Sequence, residues 1–171
     1  PTVPMSHPDA AALTVLAGVL RNGFLHTAIR EQGGAYGGGA GHDTASASFR
    51  FYSYRDPRLL DTLNDFDRSI DWLLNTEHPW RTVEEAILGV IGTLDKPASP
   101  AGTAKQDFHN RLFKLTHERQ IAFRNSVLAV TQADLKRVAE TYLKPDSASI
   151  GVISHSGESK QQQQLELSLI H

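Results

Sequence analysis

The chain has 171 residues, with 17 Lys and Arg against 19 Asp and Glu, a net charge of −2, and no cysteine. One domain of this length buries about 70% of its unfolded surface, so it needs neither a disulfide nor a metal staple. The balance of charge lacks the basic excess of a nucleic-acid binder. The absence of cysteine excludes a disulfide framework, a zinc–thiolate site and a cysteine nucleophile, and it fits a reducing compartment.

No apolar run approaches the roughly 20 residues of a membrane span. Pro1 to Met5 has neither a basic n-region nor an apolar h-region, and a chain opening on Pro1 is expected to be a piece of a longer polypeptide. Ser6 and Asp9 stand at capping-box spacing. Leu13, Leu16, Leu20 and Phe24 then recur at helical intervals, which predicts a helix over about 8–30, stopped by Gly33-Gly34. Two strands follow, a glycine-rich one over 35–40 and a better-defined one over 44–54. In the second, Ala45, Ala47, Phe49 and Phe51 alternate with Ser46, Ser48, Arg50 and Tyr52. Gly41-His42-Asp43 is the expected hairpin turn.

Asp56-Pro57 opens the next helix, with an apolar stripe of Leu59, Leu60, Leu63, Phe66, Ile70, Leu73 and Leu74. His78-Pro79-Trp80 breaks it. Thr82 and Glu85 form a second capping box ahead of Ile87, Val90, Ile91 and Leu94. After a loop over 95–102, a long helical region over 103–130 is expected to bury Phe108, Leu112, Leu115 and Phe123, with a bend near Arg119. Thr131 and Asp134 cap a further helix ended by Lys144-Pro145, and 148–154 reads as a short buried strand. Residues 1–155 form a single domain in this reading, and 156–171 a polar, glutamine-rich tail. In the tail, Leu165, Leu167 and Leu169 fit either a strand or a helix. The fold class is α+β: several long helices on one face of a small, mainly antiparallel sheet.

Metal spacing is absent. His117-Glu118 begins the zincin pattern H-E-x-x-H, but Ile121 stands where its second histidine belongs. The inverted form H-x-x-E-H does not occur. His109 and His117 lie eight residues apart on predicted helix, too far for one zinc ion. Six of the nine residues from Gly33 to Gly41 are glycine. They follow a helix and lead into strands, which is the wrong order for either nucleotide-binding glycine motif. Glycine in a strand marks a bulge or the close approach of another backbone, so the alternatives here are a loose capped hairpin or a strand edge that accepts an extended peptide.

The block Leu25-His26-Thr27-Ala28-Ile29-Arg30-Glu31-Gln32-Gly33-Gly34-Ala35-Tyr36-Gly37, with Phe49-Arg50-Phe51-Tyr52-Ser53-Tyr54-Arg55-Asp56-Pro57, resembles a known pattern. It is similar to the C-terminal domain of the presequence-protease branch of the pitrilysin (insulinase) zinc metalloendopeptidases. Weaker likenesses at Ser6–Asp9 and from Asp134 to Leu143 extend the resemblance over most of the chain. It implies a clam-shell enzyme of four similar α+β domains whose zinc is bound through H-x-x-E-H in another domain. This chain then holds no metal and is inactive alone. Its partners are the N-terminal catalytic half of the same polypeptide and short unfolded peptides, with no nucleic acid and no membrane.

The resemblance further implies that Arg30 and Tyr36 reach the substrate near the scissile carbonyl, with Gly34 and Gly37 also at substrate-binding positions. It implies that the first strand of the domain, ahead of Ser6, is truncated. The compartment is expected to be a bacterial cytoplasm or an organelle matrix. The alternative is a structural subunit of the same fold that never pairs with a catalytic half.

Overall fold

The computed structural model describes residues 1–97 and 99–153. Helix α1 (Ala10–Leu20) continues without a break into a π-helical segment (Arg21–Gln32). Nine of the eleven residues of α1 are buried, because Ala, Leu and Val occupy every side of it rather than one stripe. It packs against α3 (Trp80–Leu94), α5 (His117–Leu128), α6 (Gln132–Tyr142) and the first strand, and so forms the centre of the core. The run Ala10–Gln32 has a mean hydropathy of 1.3 over its most apolar window, long and apolar enough to cross a membrane, yet 61% of that window is buried inside the fold. The run is therefore longer than the expected apolar stretches, with Arg21 and Asn22 interrupting it midway.

Strands β1 (Gly37–Asp43) and β2 (Ser48–Tyr54) form an antiparallel hairpin, paired from Gly37 opposite Tyr54 to Asp43 opposite Ser48. The turn lies at 44–47, not at the expected 41–43. The Asp43 carboxylate accepts the backbone N–H groups of Ala45 (2.9 Å) and Ser46 (3.3 Å), an Asx turn, and Ala47 takes φ +50°. The hairpin presents Ala40, Phe49 and Phe51 to the helices. Phe51 stacks on Phe66 of α2 (Leu60–Asn75), with centroids 5.2 Å apart. Arg50, Tyr52 and Tyr54 point to solvent. The α+β arrangement, helices on one face of a small antiparallel sheet, is the expected one.

Several boundaries differ from expectation. Ser6 and Asp9 do not cap α1. Asp9 instead receives the Tyr142 hydroxyl at 2.8 Å and an Arg137 guanidinium N–H at 2.7 Å, tying the start of α1 to α6. The Arg137 bond is the main reason its carboxyl stays below the usual carboxylate range. Helix α3 begins at Trp80, so Thr82 lies inside it and caps nothing. The long helix expected over 103–130 is two helices, α4 (Pro100–Leu112) and α5. They are separated at 113–116, where Lys114 takes φ +54° and the Thr116 side chain caps α5. Phe108 and Leu112 are about two-thirds exposed and α4 buries nothing, whereas Phe123 on α5 is buried as expected.

Residues 148–153 are exposed and make no ladder, so the expected strand is absent over that stretch. The cause is spatial. A groove of about 880 Å³, floored by Leu63, Phe66 and Ile70, lies between β2 and this segment, so its backbone has no strand within reach. At the other terminus Val3 is buried and the Thr2 N–H donates to the Ala47 carbonyl at 2.6 Å, without forming a strand. Among the described residues β2 is paired along one edge. Ser154 and the tail over 156–171 lie outside the described residues.

Candidate functional site

Arg30 occupies the last turn of the π-helical segment and is exposed. A cation there faces the negative end of the helix dipole. Its Nη1–H donates to Nε2 of His26 (3.4 Å), since arginine can only donate. The other ring nitrogen of His26, Nδ1, stands 3.3 Å from a carboxylate oxygen of Glu31. Glu31 therefore engages His26 rather than Arg30, and among the described residues the guanidinium makes this one hydrogen bond.

The chain reverses at Gly33-Gly34. The N–H of Gly34 bonds the Arg30 carbonyl and that of Ala35 bonds the Ile29 carbonyl, both at 3.1 Å. Gly34 takes φ +79°, a conformation that favours glycine and ends the helix. Two residues later Tyr36 emerges, 63% exposed, at the entrance to β1. Its N–H bonds the Arg55 carbonyl (3.3 Å), its ring lies 5.6 Å from that of Tyr54, and the Arg55 guanidinium sits 5.4 Å from its centroid. Arg55 itself is held at φ +48°. A Cβ on Gly37 would stand 2.5 Å from the Tyr54 ring, so glycine at this position lets the two tyrosines approach across the hairpin.

The four expected positions thus fall in one reversal: Arg30 before it, Gly34 at its tightest point, Tyr36 and Gly37 after it. The structure adds Tyr54 and Arg55, which sequence reading placed only in a matching block. Their signal was the run of aromatic and basic residues closing β2 opposite a glycine. Tyr36, Tyr54 and Arg55 make a solvent-facing cluster of two hydroxyls and one guanidinium, with donors to offer an extended carbonyl chain and aromatic faces for its side chains, while Arg30, exposed on the helix side of the reversal, is bonded to His26. Among the described residues, no group of three or more His, Asp or Glu side chains stands close enough to hold a metal ion.

A profile of the PreP C-terminal domain matches residues 8–154. Mitochondrial presequence protease of Mus musculus is 41% identical over 142 residues, which cover 83% of this chain and 13% of that protein. The Xenopus laevis protein of the same name is 38% identical over 159 residues, covering 93% and 15%. The Saccharomyces cerevisiae one is 39% identical over 143 residues, covering 82% and 14%. The chain thus spans about one seventh of the length of these relatives. A match that runs from just before α1 past the end of α6 and takes in the whole reversal between them means that the chain belongs to the PreP C-terminal domain family.

Proposed function

We propose that this chain is the substrate-binding C-terminal domain of a zinc endopeptidase that degrades short unfolded peptides, and that it acts with an N-terminal catalytic half of the same polypeptide. The observation that carries the reading is the joint exposure of Arg30 and Tyr36 on either side of one glycine reversal. Residues 1–155 act as the domain, and the mitochondrial names of the relatives support an organelle matrix as its location. The zinc belongs to a different domain, and the residues of this chain act on the peptide rather than on the metal.

When a peptide carbonyl becomes tetrahedral, negative charge grows on its oxygen. The Arg30 guanidinium offers that oxygen a charged donor, and the Tyr36 hydroxyl offers a neutral one. The backbones that carry them are set by the helix end and the strand, which places the roots of both side chains before substrate arrives. Arg30 also binds the peptide in its ground state, because its charge attracts any carbonyl or carboxylate within reach.

The test is made in the full-length enzyme. Tyr36→Phe removes one hydroxyl and is expected to lower turnover about a hundred- to thousandfold, the usual cost of one lost oxyanion donor. Thermal stability and zinc content should stay within error of the parent. Arg30→Ala should lower turnover comparably and raise KM as well. Near-normal turnover in both variants would overturn the reading and leave the two residues as a helix terminus and a strand tyrosine, as in a purely structural subunit.

A further inference from the structure

The reversal that carries Arg30 and Tyr36 does not hold its shape alone. It rests on residues 55–58, and each of its parts touches that bed. Tyr36 donates its N–H to the Arg55 carbonyl, and Pro57 lies under Gly34. The Arg58 guanidinium packs against Gly33 so closely that a Cβ there would overlap it. Nη2 of Arg58 donates to the Ala28 carbonyl (3.1 Å), near the end of the π-helical segment, where carbonyls run short of in-helix donors.

Arg58 is in turn anchored from below. The same Nη2 lies 3.2 Å from Oδ2 of Asp65 on α2, whose side chain is 5% exposed. Arg68 takes the other oxygen of Asp65 at 2.9 Å. The backbone at Arg58 is pinned too, because its N–H donates to the Asp56 carboxylate (2.9 Å), which also receives the Thr62 hydroxyl (2.7 Å). A buried ion pair is seldom a net source of stability, since desolvation offsets its attraction. This one bridges α2 to the helix end beside the reversal, so its distinctive effect is on position.

We infer that Arg58, anchored by Asp65, is a positioning residue: it sets the orientation of the reversal that presents Arg30 and Tyr36 to the substrate. The inference rests on the proposed roles of those two residues. Arg58 lies behind the reversal and acts only through them.

The experiment uses the full-length enzyme and two versions of the lesion. Arg58→Ala removes the bolt but leaves Asp65 with less compensation. Arg58→Met combined with Asp65→Asn removes both charges, so no buried carboxylate is left short of a partner, and the combination guards against a simple failure to fold. In either, kcat should fall about tenfold and KM should rise by a smaller factor, since small misplacements of a catalytic group cost this much or more and Arg30 also binds the peptide in its ground state. In a background carrying both Arg30→Ala and Tyr36→Phe the same lesion should cost less than about twofold, because residues acting as one unit are not additive. Deuterium exchange at the amides of Gly34, Ala35 and Tyr36 should quicken at least about tenfold, with α1 unchanged.

An equal loss of kcat in both backgrounds would overturn the inference, and so would unchanged exchange at 34–36. If Tyr36→Phe and Arg30→Ala each leave turnover near normal, it is the proposed function that fails. The exchange at 34–36 then still decides whether Arg58 positions the reversal.

Discussion

His42 shows how one side chain can make stability depend on pH. It sits on β1 beneath the start of α1, where the Thr14 hydroxyl gives its hydrogen to the Ala10 carbonyl (2.8 Å) and receives Nδ1–H of His42 (3.0 Å). The other ring nitrogen is buried without a hydrogen bond. Burial lowers the pKa of His42 from its ordinary 6.5, and the nearby backbone of Val3 and Ala10 and the charge of Asp43 oppose the shift only in part. The fold therefore prefers the neutral ring, while the unfolded chain binds the proton more readily. That stability is present above about pH 6.5 and is lost as pH falls toward the lowered folded value. Urea midpoints of the chain between pH 7.5 and 5.5 should fall with pH, and His42→Gln should flatten the slope. An unchanged slope in the variant would place the titration elsewhere. At this scale the sequence was legible unevenly. Arg30 and Tyr36 stood out only through the family pattern, because a helix-end arginine and a strand tyrosine are common. The partners Tyr54 and Arg55 were hidden because a hairpin of unknown register brings them to Tyr36, and Arg58 because its contact with the Ala28 carbonyl spans thirty positions.

Helix boundaries were read from spacing, and spacing alone does not say which of two similar signals is used. Thr82 with Glu85 and Thr131 with Asp134 look alike in sequence. Only the second is a cap: the Asp134 N–H bonds the Thr131 hydroxyl oxygen (3.2 Å) and the Thr131 N–H bonds the Asp134 carboxylate (3.0 Å). The first is overridden because Pro79, with its fixed φ, holds the cap position of α3 three residues before Thr82. Thr131→Ala should therefore destabilise the chain by about 1 kcal/mol. Thr82→Ala should leave it nearly unchanged, since alanine is also the better helix former. Equal losses in the two variants, measured by chemical denaturation, would contradict these assignments. The long helix over 103–130 was misread for a related reason. Phe108, Leu112 and Leu115 keep helical spacing straight through the break, and nothing in periodicity marks the positive φ of Lys114.

Across the whole molecule, apolar side chains are distributed unequally among helices of similar length. Nine of eleven residues of α1 are buried, whereas α4 buries none and displays Phe108, Leu112 and the adjoining Phe113 to solvent. Helix propensity cannot compensate, since isolated helices this short are marginal in water and draw their stability from packing. The chain should accordingly open in steps. Amides of α1 are expected to exchange only through global unfolding, while those of α4 exchange through local opening, at least about a hundredfold faster under native conditions. Helix α5 shares the core through Phe123 and Val127, so its amides should fall between the two. The measurement is native-state deuterium exchange on the 171-residue chain at several protein concentrations. Protection of α4 equal to that of α1 at all concentrations would contradict the exposure of its apolar side chains. Protection that grows with concentration would mean instead that a second copy covers them. The contrast follows from burial alone, so it holds whatever roles Arg30 and Tyr36 prove to have.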